Sequence, residues 1–184
     1  MWWLIVSWDN SNASFSSQMQ AFMTLAQRAV TIYRLPPCPV QGGIMAIDLV
    51  PLCTLHLQPK PPITMGTGPA GTRLVSETAN GEVQGDRLRG QVGSAVDWLT
   101  VGPEGTGTID VRAMLRTDDG ARIFVQYNGR LDVSRGWQFP MTAYVAPRFE
   151  TGDKRYAWLN RIQAVGKGTI NEDLSVDYEW YEVR

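Results

Sequence analysis

Short runs in which apolar and polar residues alternate, each closed by a turn signal, recur from Leu49 to Val183. The last of them is the clearest. In Leu174 to Val183, the residues Val176, Tyr178 and Trp180 fall on one face and Asp177, Glu179 and Tyr181 on the other. A period of two sends successive side chains to opposite faces of a strand and does not suit a helix. Further runs are read over Leu49–Leu57, Thr72–Thr78, Glu82–Arg89, Gln91–Val101, Thr106–Arg116, Ala121–Tyr127, Arg130–Val133, Met141–Phe149 and Arg155–Gly166. Between them stand Asn80-Gly81, Gly102-Pro103-Glu104-Gly105, Thr117-Asp118-Asp119-Gly120 and Asn128-Gly129. Asn-Gly is the strongest short-range hairpin signal, so both copies are read as turns. Strands joined this way predict an all-β fold, an antiparallel up-and-down sheet. About eight to ten strands suit a sheet closed into a β-barrel, which removes exposed edges and can hold one ligand in its mouth.

Residues 1–44 break the pattern. Ser14 to Leu35 places Phe15, Met19, Phe22, Met23, Ala26 and Val30 at helical spacing, and the run stops at Pro36-Pro37. Met1 to Val6 is apolar but far short of the roughly 20 residues needed to span a bilayer. The expectation is an N-terminal extension and linker over 1–44, poorly ordered or helical, and a barrel domain over 45–184. The preferred expectation takes Met45 as the start, with the extension having no role in the fold; the alternative is an interfacial or docking helix.

Charge narrows the partners. The 17 basic and 18 acidic residues leave a net charge of −1, with no basic footprint for nucleic acid and no polybasic membrane patch. Two cysteines, Cys38 and Cys53, are too few for a disulfide framework; free thiols imply a reducing, cytoplasmic setting. A single histidine, His56, excludes multi-histidine metal sites and leaves little for a Ser-His-Asp triad. Thr117-Asp118-Asp119-Gly120 lacks the later acidic ligands and closing Glu of a calcium loop and is read as a turn, so no metal site is expected. Gly66 to Gly71 is glycine-rich but lacks the Lys-Ser/Thr of a phosphate loop, and no cofactor motif follows it.

Several polar residues stand where a plain strand carries Val or Thr. In Thr106 to Arg116, Asp110 and Arg112 share one face, opposite Ile109, Val111, Ala113 and Leu115. On the outside of a barrel such a pair contributes about 0–1 kcal/mol; inside, it is costly unless used. Asp97 and Trp98 are adjacent, so one points in and the other out. Tyr156, Trp158 and Asn160 alternate as if on one strand face, suited to stacking and orienting a flat ligand. Glu150 closes the preceding strand at the rim.

Gly93-Ser94-Ala95-Val96-Asp97-Trp98, Asp110-x-Arg112, Thr117-Asp118-Asp119-Gly120-Ala121-x-Ile123, Phe149-Glu150-Thr151, Tyr156-x-Trp158-Leu159-Asn160 and Tyr178-Glu179-x-Tyr181-Glu182-Val183 occur in this order. Together they resemble the domain of unknown function 3237 family (DUF3237) over roughly residues 51–183. The family's pattern usually has two glycines before Asp-Trp, where this chain has Ser94 and Ala95-Val96. The resemblance implies a calycin-like antiparallel barrel and maps Asp97, Trp98, Asp110, Arg112, Tyr156, Trp158 and Asn160 to a pocket. The function expected is cofactor-independent acid/base chemistry of isomerase, lyase, hydratase or cyclase type on a small, partly aromatic or polyketide-like molecule. Asp97 or Asp110 would move the proton. Arg112 would hold a carboxylate or a developing oxyanion, and Trp98, Tyr156, Trp158, Asn160 and Glu150 would bind substrate. The alternative is a lipocalin-like carrier of an apolar ligand. Exposed aromatics such as Trp137 and Trp180 suggest a homodimer.

Overall fold

The computed structural model describes residues 46–184. The reading of residues 1–44, including the helix over Ser14–Leu35, the thiol of Cys38 and the start at Met45, lies outside the described residues. Nine antiparallel strands follow: β1 Leu49–Pro59, β2 Ile63–Gly68, β3 Gly71–Gln84, β4 Gly90–Val101, β5 Thr106–Thr117, β6 Arg122–Asp132, β7 Met141–Glu150, β8 Gln163–Ile170 and β9 Val176–Val183. Each strand from β3 to β9 pairs with its sequence neighbour, β9 returns to β1, and β1 also pairs with β3. The ring therefore closes as the up-and-down barrel the alternation predicts. β2 lies outside the ring, on the part of β3 that runs beyond β1.

The alternation decides what fills the barrel. In β5, Ile109, Val111, Ala113 and Leu115 are buried, and the residues between them are not. In β1 a register shift between Pro51 and Cys53 lets the consecutive Leu52 and Cys53 both turn inward. Burial pushes the Cys53 thiol up to about 12, so it behaves as a small apolar core group. Each fully buried Leu, Val or Phe stabilises the fold by about 1.5–3 kcal/mol. The centre holds an aromatic stack. Trp180 meets Tyr127 and Phe149 edge to face, with centroids 5.7 and 5.9 Å away, and Tyr178 lies 6.3 Å off. β8 makes room for it: a Cβ at Gly166 would overlap the Trp180 indole, and one at Gly168 would overlap the Tyr178 ring.

The expected strand boundaries need correction in three places. Asn80-Gly81 and Asn128-Gly129 are not turns; β3 and β6 run straight through them. Their glycines serve close approach instead. A Cβ at Gly81 would sit 2.8 Å from the side chains of Leu57 and Val92, and one at Gly129 would overlap the Tyr144 carbonyl. The run Glu82–Arg89 ends at Gln84 and becomes a loop that buries Leu88. Lys154–Arg161 forms a 3-10 helix, not the start of a strand. Asp153 caps it, its carboxylate accepting from the Arg155 amide at 3.0 Å. Trp180 is core, 1% exposed, so of the two aromatics suggested for a dimer surface only Trp137 is at the surface.

Candidate functional site

The two ends of the barrel differ. One end is shut by the 3-10 helix and by the loop between β3 and β4. Leu159 and Leu88 enter the interior and are completely or almost completely buried. Asn160 and Thr151 exchange two hydrogen bonds, the Thr151 amide donating to Oδ1 at 2.8 Å and Nδ2 donating to the Thr151 carbonyl at 2.9 Å. The Tyr156 hydroxyl donates to Asp119 at 3.1 Å. Arg87 lies over the Trp158 ring at 4.4 Å and donates to Glu182 at 2.5 Å. Tyr156, Trp158 and Asn160 thus belong to a plug, not to a pocket wall. Their apparent alternation is a helical segment in which Leu159 is the inward residue. Glu150 is exposed at the same closed end.

The strand pair β4 and β5 separates the remaining candidates. Asp110 and Arg112 face outward, paired with each other at 3.4 Å, and the Arg112 side chain is 51% exposed. Their placement on the outer face follows from Ile109, Val111 and Ala113 taking the inner one. Neither side chain lines the cavity, although the Asp110 amide donates to Asp97 and one Asp110 carboxylate oxygen is buried without a partner. Trp98 is also outward, beside Val75 of β3. Asp97 is the inward partner of that dipeptide. It lies opposite Val111 and Ser76 in the ladders and lines a cavity of about 120 Å³ at the open end.

Leu99, Ile109, Leu131, Met141, Ile170 and Val176 form the cavity's apolar wall. Trp137 and Phe139, on the loop between β6 and β7, and Leu174, on the hairpin between β8 and β9, complete the rim. Leu174 holds a left-handed backbone conformation (φ 66°), which a residue with a Cβ adopts at a cost of about 1–2 kcal/mol. The hairpin is fastened around it: the Leu174 amide donates to the Asn171 carbonyl at 3.0 Å and Asp173 accepts from the Ser175 hydroxyl at 2.6 Å. Lys60 also borders the cavity, but its ammonium is tied to Glu77 at 2.7 Å.

Asp97 is therefore a carboxyl in largely apolar surroundings. Its one hydrogen bond is a long one, from the Asp110 amide at 3.4 Å. Two ladder positions are skipped here: pairing runs to Asp97–Val111 and resumes at Thr100–Thr108 in the same register. Desolvation pushes the Asp97 carboxyl up to about 6; the Asp110 amide opposes that shift and the Asp110 charge adds to it. Both protonation states are accessible near neutral pH, as a group that gives and takes a proton requires. Tyr178, Trp137 and Phe139 also line the site, which the sequence pattern does not reveal. Tyr178 stood in the clearest alternating run, yet nothing there tells a lumen-lining phenol from a filled core. Among the described residues no group of three or more His, Cys, Asp or Glu is placed to hold a metal. No described helix is long and apolar enough to cross a membrane.

Comparison with known proteins adds to this geometry. The model of a family described as Protein of unknown function (DUF3237) matches residues 47–183. The protein named hydroalkoxylation enzyme phnH, from Penicillium herquei, is 26% identical over 157 residues, which cover 85% of this chain and 93% of that protein. A UPF0311 protein of Rhodopseudomonas palustris is 30% identical over 118 residues, 58% of this chain and 77% of that protein. The crystal structure of a beta-barrel like protein from Acinetobacter baumannii, 29% identical, superposes with a TM-score of 0.68 and covers 76% of this chain and 97% of its own.

Proposed function

This chain belongs to the DUF3237 family, and on that footing we propose that its open barrel mouth catalyses a redox-neutral proton-transfer addition on a small, uncharged, partly aromatic molecule. The observation that carries the reading is Asp97: a carboxyl with a pKa of about 6, turned into an apolar cavity. The similarity to a hydroalkoxylation enzyme supports the addition of an O–H group across a carbon–carbon double bond. In such a step the Asp97 carboxylic acid gives its proton to one alkene carbon. The substrate oxygen bonds to the other carbon and then loses its own proton to the Asp97 carboxylate. Atoms and electrons balance, and the acid is regenerated.

The surroundings suit that course. Positive charge developing at carbon meets the carboxylate, in a cavity that Trp137, Phe139 and Tyr178 also line. Among the described residues lining the cavity the one cation is Lys60, and it is engaged by Glu77, so an anionic substrate finds no free partner there. Positioned acid/base catalysis of this kind contributes about 10²–10⁴-fold.

The test offers the full chain an ortho-alkenyl phenol in deuterium oxide and follows cyclic ether formation by mass spectrometry. Turnover with one deuterium on carbon is expected, falling at least 100-fold in Asp97→Asn while binding is retained. Equal loss of binding and rate in that variant counts against Asp97 as the proton carrier. Native mass spectrometry of both purified proteins addresses the carrier alternative. The same co-purified ligand in wild type and Asp97→Asn, without turnover, favours a carrier.

A further inference from the structure

Tyr178 lines the same cavity as Asp97 but differs from it in kind. β9 turns its ring inward, where the Gly168 backbone lies directly against it. Tyr127 meets the ring edge to face at 5.9 Å, and Trp180 lies 6.3 Å away. Packed on these sides, the ring has little freedom to move. Burial, together with the charge of Asp97, raises its pKa further above the ordinary phenol value. The hydroxyl therefore keeps its proton at any physiological pH and can act as a donor.

We propose that Tyr178 is the second polar group of this site, a fixed phenol that donates a hydrogen bond to an acceptor oxygen of the bound molecule while Asp97 exchanges the proton. The ligand class follows: flat, uncharged and oxygenated, with a carbonyl, ether or phenolic oxygen at one edge. This rests on the reading of the mouth as a ligand site, and it adds what that reading lacks, a group that orients the molecule. A donor that never titrates and an acid that does so near pH 6 divide the work between them. A hydrocarbon of the same shape would fill the cavity equally well but gain nothing from the phenol.

Two flat probes of similar size separate these contributions: coumarin, which offers only acceptor oxygens, and naphthalene, which offers none. Binding is measured at pH 8, where Asp97 is ionised and cannot donate. Tyr178→Phe is expected to weaken coumarin roughly tenfold, the worth of one well-placed hydrogen bond, and to leave naphthalene within about twofold. The carbonyl stretch of bound coumarin moves to higher frequency in the variant. Phe149→Leu, a control for general loosening of the aromatic stack through Trp180, leaves the ratio of the two affinities unchanged. Equal effects of Tyr178→Phe on both probes, or no effect on either, overturn the role of Tyr178 while leaving the mouth as a ligand site. Failure of both probes to bind the wild type overturns the ligand site and the inference together. Should Tyr178→Phe not fold, 3,5-difluorotyrosine at position 178, a stronger donor of nearly the same shape, is expected to tighten coumarin but not naphthalene. No gain there would overturn the role equally.

Discussion

The closed and open ends of this barrel are made from the same strands, yet they treat polar groups in opposite ways. At the closed end the polar groups are partnered: Asn160 with Thr151, Tyr156 with Asp119, Arg87 with Glu182 and Trp158. At the open end Asp97 stands among apolar side chains with one long hydrogen bond. Satisfied polar groups stabilise a fold, whereas an under-satisfied one costs it. The contrast separates residues that hold the barrel shut from the residue placed to act.

The sharpest way to break the comparison is to make the closed end weak. Leu159→Ala removes a completely buried plug residue and is expected to destabilise the protein by about 2–5 kcal/mol. Chemical denaturation measures this. Coumarin affinity at the open end should stay unchanged under native conditions, and a parallel loss would mean that the two ends are not independent.

Asp97→Asn is expected to act in the other direction. The folded chain holds the Asp97 proton more tightly than the unfolded chain, with pKa raised from 3.8 to about 6. The group therefore weakens the fold as pH rises from about 4 through about 6, and the full penalty persists above. At 1.36 kcal/mol per pH unit, this amounts to about 3 kcal/mol. Asp97→Asn should gain up to that amount at pH 8 and nothing below pH 4, as followed by denaturant midpoints across pH. A loss of stability at pH 8 would show that the carboxylate is used structurally.

Glu182 at the closed end carries the opposite linkage. Hydrogen bonds from Arg184 and Arg87 lower its carboxyl from 4.5 to about 2. Its stabilisation is fully present above pH 4.5 and is lost as pH falls through 2. Glu182→Gln should flatten the acid side of the stability profile and leave the slope between pH 4 and 6 to Asp97. The smallest effect is expected at Arg112→Ala, where an exposed outer pair is worth about 0–1 kcal/mol. Turnover and coumarin binding should not change; a clear loss of either would bring Arg112 back into the site.

How far the chain could be read depended on the range of the interaction that decides each feature. The alternation of β9 and the turns at Gly102–Gly105 and Thr117–Gly120 are legible because alternation and turn chemistry act between near neighbours, whereas which face of β9 is inward, and so the burial of Trp180, is not. Asn80-Gly81 and Asn128-Gly129 are ambiguous in sequence because the same dipeptide serves a tight turn or a crowded strand. The side chains that crowd Gly81, from Leu57 and Val92, come from other strands. Tyr156, Trp158 and Asn160 are not legible as a helix because three alternating positions are equally compatible with a strand, and only the cap at Asp153 marks the segment as helical.

The sequence by itself determined that this chain builds an antiparallel barrel, and that Asp97 and Trp98 point to opposite sides of its wall. It also put Asp110 and Arg112 together on one face. Which of those faces is the inside was decided by closure of the ring through β1 and β3. Only then does Asp97 lie in an apolar mouth and the Asp110–Arg112 pair lie outside. A strand's period is a local property of the backbone, but the surroundings of a carboxyl, and with them its pKa, are set by side chains brought from distant strands.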